Sequence, residues 1–250
     1  MGDIGDVHTL PLEDRDDADL KLTRPWLLLH TPTPDISTLA FAYGTTQATE
    51  RELQATPLTI QWRRASGRHE HTDFHPARLR TPPPWRAGVR VGHAPQHLRI
   101  QAAFRSALGI GEGVRWRGEP EDVGRGRIVR LSAAARRRHD DARYAVIVTR
   151  HEYARTRRYQ HLLPIYDLGE ILPEAGDVVS RAEWTRRLPD AMPEGAIVAT
   201  GGLFTGSETY RPFVPGPIAG YTRQALDAAT MIEVDRALAA MYDLGQPPRA

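Results

Sequence analysis

The sequence contains no cysteine, and this absence excludes several kinds of chemistry at once. Disulfides, thiolate metal sites and cysteine nucleophiles cannot form in this chain. A chain without cysteine fits a reducing compartment, and we expect it in the cytoplasm. No apolar run approaches the roughly 18 residues that a membrane-spanning helix needs, so we expect no membrane association. The acidic N-terminus also lacks the basic and apolar order of a secretory signal.

Lysine is almost missing as well, since Lys21 is the only lysine in the sequence. Arginines concentrate between residues 115 and 158, whereas residues 3–19 are strongly acidic and contain a single Arg15. The planar guanidinium of arginine suits phosphate and stacks on bases, which favours a nucleic-acid partner. A genome that prefers arginine codons, with the charges on solvated faces, is an equally good explanation.

Short apolar segments between turn residues predict a mainly β chain with accessory helices. In the first half we expect strands near residues 5–12, 26–29, 38–43 and 58–62, the last of which alternates apolar and polar residues. Ile100, Phe104 and Leu108 recur at helical spacing, and Gly109 is a natural end for that helix.

The second half repeats this order of strand, polar loop, arginine-headed strand, strand and helix. Its expected strands are 127–131, 143–149 and 161–166, and its helix begins near Thr222, a plausible cap. The repeat predicts two domains, at residues 1–110 and 120–250, with the glycine-rich stretch 109–124 as the linker.

The first half contains three short motifs that occur in the same order in a known protein family. They are Gly5-Asp6-Val7, Arg24-Pro25-Trp26-Leu27-Leu28-Leu29 and Tyr43-Gly44-Thr45-Thr46-Gln47. The chain resembles the MazF/PemK-type toxins at these motifs. The second half is similar at Arg143-Tyr144-Ala145-Val146-Ile147-Val148, at Leu163-Pro164-Ile165 and in its C-terminal helix.

The resemblance implies two tandem SH3-like barrels and a metal-independent endoribonuclease that cleaves single-stranded RNA without a cofactor. It also implies an antitoxin protein as a partner, and either an internal pseudo-dimer or a homodimer. The alternative is a member of the same fold that binds RNA or protein and has lost cleavage.

RNA cleavage without metal needs a base for the 2′-hydroxyl and positive charge for the phosphorane. By the resemblance, Arg24 supplies that charge, Thr45 and Thr46 donate hydrogen bonds to the same phosphate, and Asp19 is the general-base candidate. Gln47, which follows them, is expected to contact RNA. Each of these residues also has a purely structural interpretation as an edge charge, a turn residue or a solvated acid.

The second copy departs from the pattern and is expected to bind RNA without cutting it. Arg143 keeps the basic position, Arg138 stands where the first copy has Asp19, and Tyr166 with Asp167 replaces the threonine pair. An aspartate beside a phosphate site repels the substrate, while tyrosine can stack on a splayed base.

One further cluster needs weighing, the segment His69-Glu70-His71-Thr72-Asp73-Phe74-His75. On a strand its histidines and Asp73 would share one face, which is a possible ligand set for zinc or nickel. The stretch is polar, so we favour a solvated loop and expect no metal. The alternative that these histidines act as acid or base in RNA cleavage stays open.

Overall fold

The computed structural model describes residues 2–10, 25–31, 39–45, 58–82, 84, 87–119, 122–154, 160–206, 209–211 and 214–245. The chain divides into two compact units, unit 1 at Met1–Ser106 and unit 2 at Ala107–Ala250. The expected mainly β class with a few helices is confirmed. No helix among the described residues is long and apolar enough to cross a membrane.

Unit 1 is a closed antiparallel barrel of six strands in the order β1-β2-β3-β5-β4-β6, in which β6 pairs with β1. The strands are β1 (Asp6–Thr9), β2 (Trp26–His30), β3 (Ala40–Thr45), β4 (Leu58–Arg64), β5 (His69–Arg80) and β6 (Val89–His93). The helix α1 (His97–Ala107) follows β6, as the spacing of Ile100 and Phe104 predicts, and both side chains are buried.

The barrel interior is filled by strands whose apolar pattern matches the predictions. In β4 the side chains of Leu58, Ile60 and Trp62 are buried, and the residues between them are exposed. Every residue of β2 is buried. Trp26 packs its ring edge against Tyr43 of β3, with the ring centroids 5.3 Å apart. β4 is therefore buried on one face, whereas β2 is buried along its whole length, including His30.

The segment that we expected to be a loop, His69 to His75, is instead the first part of the long strand β5. Its polar residues do not prevent strand formation, because the segment pairs with β4 from His69 to Phe74 and with β3 from Asp73 onward. Thr72 and Phe74 are buried in the barrel, while His69 and His71 are exposed. Pairing with neighbouring strands thus overrides a weak local signal.

Barrel closure depends on a close approach at Gly5. This residue has a φ of +94°, its amide donates to the carbonyl of Leu28, and its carbonyl accepts from the amide of Ala94. A Cβ atom at Gly5 would lie 2.2 Å from the carbonyl oxygen of Ala94. Glycine is therefore required where the chain enters β1.

Unit 2 contains a sheet in the order β10-β11-β9-β8-β7-β15, with β12 also paired to β9. Its strands are β7 (Arg127–Leu131), β8 (Tyr144–Ile147), β9 (Gln160–Asp167), β10 (Val178–Ser180), β11 (Ala196–Val198), β12 (Phe204–Gly206) and β15 (Ile218–Ala225). A separate hairpin joins β13 (Thr209–Arg211) to β14 (Val214–Pro215). The strand path through the described residues is not closed, so the expected second barrel is not found.

Among the described residues of unit 2, four α-helices accompany this sheet. They are α2 (Ala133–Arg138), α3 (His151–Ala154), α4 (Glu183–Arg186) and α5 (Ala228–Met241). The arginine-rich stretch after β7, expected to be a loop, forms α2 because Ser132 caps it by accepting from the amide of Ala135. Thr222 does not cap α5: it lies in β15 and donates to the carbonyl of Ile128, and Asp227 is the cap.

Two arginines from the basic stretch are buried inside unit 2. Arg125 is fully buried and donates to the carboxylate of Asp235 in α5 and to the carbonyls of Leu108 and Val148. Burial lowers the pKa of Arg125, and the Asp235 carboxylate opposes that shift. Arg127 donates to the carbonyl of Thr222 at 3.0 Å. These two arginines hold the fold of unit 2.

Candidate functional site

The motif residues that the resemblance assigns to catalysis fall mostly outside the described residues. Asp19, Arg24, Thr46 and Gln47 all lie outside them, and the backbone of Thr45 is described as the last residue of β3. The positions immediately beside them are described.

Those neighbouring positions bring the start of β2 next to the end of β3. The amide of Gly44 donates to the carbonyl of Pro25 at 2.9 Å. A Cβ atom at Gly44 would lie 2.7 Å from that carbonyl and from the Phe74 ring, so glycine permits the approach. The residue before Thr45 and the residue after Arg24 are thus one hydrogen bond apart.

A carboxylate lies at the same end of β3. Thr45 pairs with Asp73 of β5, and Asp73 pairs in turn with Thr59 of β4. The hydroxyl of Thr59 donates to the Asp73 carboxylate at 2.6 Å. Asp73, which the sequence suggested only as a metal ligand, is therefore an acid beside Thr45.

Unit 1 also contains a cavity of about 680 Å³ that is lined in part by charged side chains. This cavity, which we call the β4–β6 cavity, is lined by Gln61, Trp62, Arg63, Arg64, Ala65, His69, Arg90, Gly92, His93, Pro95 and Gln96. Its size lies within the roughly 300–1,000 Å³ of pockets that hold small ligands. Three arginines, two histidines and two glutamines give it a cationic, hydrogen-bonding lining.

The three arginines of the cavity differ in whether a carboxylate pairs with their guanidinium group. Arg64 lies 3.0 Å from a Glu70 carboxylate oxygen, and Arg90 lies 2.8 Å from Asp6. Arg63 donates to the carbonyl of Gly67 at 3.3 Å. No carboxylate among the described residues lies within ion-pair distance of Arg63. Arg63 is therefore the cavity arginine most available to an incoming anion.

The carboxylate of Asp6 orients a cavity histidine. Asp6 is 2% exposed, and one of its oxygens lies 2.9 Å from Nδ1 of His93. Burial alone would raise the pKa of Asp6, but the amide of Asp3, His93 and Arg90 outweigh burial and hold that pKa below its usual range. The ionised carboxylate accepts a hydrogen bond from Nδ1, which leaves Nε2 of neutral His93 as the unprotonated nitrogen.

The register of the barrel places four of these residues in one row across four strands. Asp6 of β1 pairs with His93 of β6, His93 pairs with Arg63 of β4, and Arg63 pairs with His69 of β5. Directly paired residues of neighbouring strands share one face of the sheet. The row Asp6–His93–Arg63–His69 therefore sets an arginine between two histidines at the β4–β6 cavity.

The other histidines of the His69–His75 segment do not join the cavity. His71 is exposed and pairs with Gln61, whereas His75 is buried. No group of three histidine, aspartate or glutamate side chains within the described part of the chain is placed to hold a metal ion.

In unit 2 the structure brings the three expected RNA-binding residues to one end of the sheet. Arg143 and Tyr166 each lie one residue beyond the paired Tyr144 and Ile165, and the Tyr166 hydroxyl donates to the carbonyl of His139, the residue after Arg138. Arg138 is exposed at the end of α2.

Two of these three groups are already engaged within unit 2. Arg143 donates to Glu170 at 3.1 Å. Burial, together with Asp140, Asp177 and Glu174, raises the pKa of Tyr166 to about 12. This end of the sheet is therefore richer in acidic groups than the β4–β6 cavity.

Four residues at this site are not predicted from the sequence: Asp6, Arg63, Arg90 and His93. Asp6 was visible only as part of the Gly5-Asp6-Val7 motif, and nothing near His93 in the sequence marks it as special. These residues come together only when β6 pairs with β1, which places His93 beside Asp6, 87 positions away in the sequence. No protein-family model, no curated protein and no solved structure matches this chain.

Proposed function

We propose that unit 1 binds single-stranded RNA and cleaves it without a metal ion. The observation that carries this proposal is the β4–β6 cavity, in which Arg63 has no carboxylate partner among the described residues and two histidines flank it. A guanidinium offers parallel donors that fit a phosphodiester, and imidazole is the side chain best suited to move protons near neutral pH.

The edge of β3 supports the same substrate class. The outer face of β5 runs from His69 at the cavity to Asp73 beside Thr45. Four residues of strand span about 13 Å, which is the length of roughly two nucleotides of extended RNA. One strand of RNA following β5 would reach both the cavity and the position where the resemblance expects Arg24, Thr45 and Thr46.

The proposal extends to the architecture that the resemblance implies. In it the closed barrel of unit 1 is SH3-like, and unit 2 is a diverged copy in which Arg138, Arg143 and Tyr166 contact RNA or a partner protein. The repeated order of strands and the C-terminal helix supports this relation. An antitoxin protein and pairing of two barrels, within one chain or between two chains, belong to the same proposal.

Cleavage is tested with the purified full chain, a pool of end-labelled single-stranded RNA and excess EDTA. Attack by the 2′-hydroxyl yields a 2′,3′-cyclic phosphate on one fragment and a free 5′-hydroxyl on the other, so both termini are identified. We expect fragments with these termini, and we expect Arg24→Ala to slow their formation by about 10²–10³-fold, as for loss of a donor to a developing anion.

Binding is tested separately with RNA whose 2′-hydroxyls are replaced by hydrogen, since this RNA cannot be cut by internal attack. We expect Arg63→Gln to weaken binding and to reduce the salt slope by about 0.7, which corresponds to one phosphate contact on a single strand. The control is Arg186→Gln, because Arg186 is exposed on α4 of unit 2 and does not line the cavity.

The two experiments separate the proposal from its alternative. Salt-dependent binding without cleavage by the wild-type chain favours a non-catalytic RNA-binding protein. Absence of both binding at low salt and cleavage rejects an RNA-directed role for unit 1.

A further inference from the structure

We infer that His93 and His69 are the general base and general acid of RNA cleavage in unit 1, with Asp6 as the positioning residue of His93. This inference rests on the proposed function; it assigns the proton transfers to His93, which no sequence motif includes, and to His69 of the histidine cluster. The observation behind it is the cross-strand row Asp6–His93–Arg63–His69.

The spacing of the row suits a phosphodiester. His93 and His69 lie on the strands either side of β4, so their Cα atoms are about 10 Å apart. Imidazole rings that extend from these positions leave room for one phosphate group between them. Arg63 stands between the two histidines, where its guanidinium meets the non-bridging oxygens of that phosphate.

The surroundings of the two rings assign their roles. Asp6 accepts a hydrogen bond from Nδ1 of His93, so a proton taken up at Nε2 produces an imidazolium beside a buried carboxylate. That pairing stabilises the protonated form as it develops, as an orienting carboxylate does for a general base. His69 is exposed, and no carboxylate within the described ranges bonds to it, so no internal ion pair holds its ring away from the leaving oxygen.

The reaction is balanced with these groups alone. His93 Nε2 removes the proton of the 2′-hydroxyl as the O2′–P bond forms. The P–O5′ bond breaks, and the His69 imidazolium protonates the departing O5′. The products are a 2′,3′-cyclic phosphate and a 5′-hydroxyl end, and proton exchange with water returns both histidines to their starting states.

Other charged groups face this pair and shape its pH dependence. Arg90 also binds Asp6, and the ring of His97 on α1 meets that of His93 edge-on with centroids 5.9 Å apart. Arg63 adjoins both histidines. An acid–base pair of imidazoles produces a bell-shaped dependence of kcat/KM on pH.

The test compares three histidine variants of the full chain in the EDTA-containing cleavage assay. We expect His93→Ala and His69→Ala each to lower the cleavage rate by about 10²–10⁴-fold. Binding of 2′-deoxy RNA should stay within about 3-fold of wild type. His151→Ala is the control, since His151 lies on α3 of unit 2, outside the β4–β6 cavity and away from the outer face of β5.

A chemically altered substrate separates the acid from the base. An RNA with sulfur in place of the bridging 5′-oxygen has a leaving group that needs no proton. We expect this substrate to restore cleavage by His69→Ala and to leave His93→Ala slow. In the pH profile, His93→Ala should lose the acidic limb and His69→Ala the alkaline limb.

The role of Asp6 is tested by the same measurement of cleavage rate against pH. Asp6→Asn keeps an oxygen that accepts from the Asp3 amide, so the variant tests orientation and charge separately from the local turn. We expect a lower kcat with an altered acidic limb and an unchanged affinity for 2′-deoxy RNA. Urea unfolding confirms that each variant is folded, and His93→Gln replaces His93→Ala if the latter unfolds.

The failures are distinguishable. If the wild-type chain cleaves RNA and both His93→Ala and His69→Ala cleave at its rate, the histidine assignment is overturned while the proposed function stands. If the sulfur-containing substrate restores neither variant or both, the separate acid and base roles are overturned. If the wild-type chain does not cleave at all, the proposed cleavage fails together with this inference.

Discussion

The buried guanidinium of Arg125 donates to the carboxylate of Asp235, which projects from α5. The other Asp235 oxygen accepts from the amide of Gly111 at 2.9 Å. One carboxylate therefore ties together α5, the start of β7 and the glycine-rich segment that follows α1. We expect this pair to be a principal determinant of the stability of unit 2.

Removing the acid should be costly because it leaves a buried charge without its partner. We expect Asp235→Ala to lower the free energy of unfolding of unit 2 by about 3–5 kcal/mol. The matched control is Arg143→Ala, which removes an exposed ion pair with Glu170 and should cost at most about 1 kcal/mol. Urea unfolding with hydrogen exchange of unit 2 amides measures both, and equal losses would contradict the prediction.

Gly5→Ala should destabilise the barrel of unit 1 far more than Gly67→Ala. Both glycines have similar positive φ angles, +94° and +89°. At Gly67 the nearest atom to an added Cβ is Arg63 Nη2 at 3.6 Å, so the cost is the backbone strain alone, about 1–2 kcal/mol. At Gly5 the Ala94 carbonyl oxygen stands 2.2 Å away, which adds a steric cost of about 1–3 kcal/mol.

The comparison is made by urea unfolding of the two variants under identical conditions. Equal stabilities of Gly5→Ala and Gly67→Ala would show that the close approach at Gly5 is easily relieved.

His8 should make the stability of unit 1 fall on mild acidification. Burial lowers the pKa of His8, which is 6% exposed, and its Nδ1 donates to the Ala87 carbonyl. As the pH falls below about 6.5, His8 therefore takes up a proton in the unfolded chain while it stays neutral in the folded chain. Stability is complete above that pH and is lost as the pH falls through the folded value, with a slope of at most about 1.4 kcal/mol per pH unit.

The variant His8→Asn keeps a donor for the Ala87 carbonyl and cannot titrate. We expect its stability to depend less on pH than that of the wild type between about pH 6.5 and 5. Parallel curves for the two proteins would assign the dependence to other groups.

Asp227 should stabilise α5 both as a cap and as a charge. Its carboxylate accepts from the Thr230 amide at 3.0 Å and from the Thr230 hydroxyl at 2.6 Å. Replacement by alanine should cost about 0.5–2 kcal/mol. Glu233→Ala, at an exposed position of the same helix, is the control and should be nearly neutral.

The contribution of Asp227 to stability should decrease at acidic pH. Burial would raise the pKa of Asp227, but the hydrogen bonds from Thr230 outweigh it and hold that pKa below its ordinary value of 3.8. This contribution is therefore present above about pH 4 and is lost as the pH falls through the folded value. Asp227→Asn should remove this part of the acid dependence, which unfolding curves between pH 5 and 2 measure.

The sequence predicts the elements of this fold best where local pattern and burial agree. The alternation at Leu58, Ile60 and Trp62 predicts β4, and the apolar run from Trp26 predicts β2. It fails for β5, because His69 and His71 face solvent and carry no strand signal of their own. Pairing with β4 places these residues in a strand, and a local sequence pattern does not reveal that partner.

The candidate site was harder to predict for the same reason. Arginines can be counted in a sequence, yet Arg125 is buried in a fold-stabilising pair while Arg63 lines a cavity. The difference is that the fold brings the Asp235 carboxylate to Arg125 and no described carboxylate to Arg63. His93 acquires significance only when β6 closes against β1 and places its ring against Asp6. Such pairings are long-range, so spacing along the chain does not indicate them.

The closure of the unit 1 barrel also limits how another polypeptide can recognise it. Each of its six described strands has a neighbour on both sides, but β4 pairs with β6 only at Arg63 and Arg64. Among the described strands, the part of β4 before Arg63 is therefore open to strand addition. In unit 2 the described path ends at β10 and β15, and β12 and the β13–β14 hairpin are also paired on one side, so these described strands offer edges for strand addition.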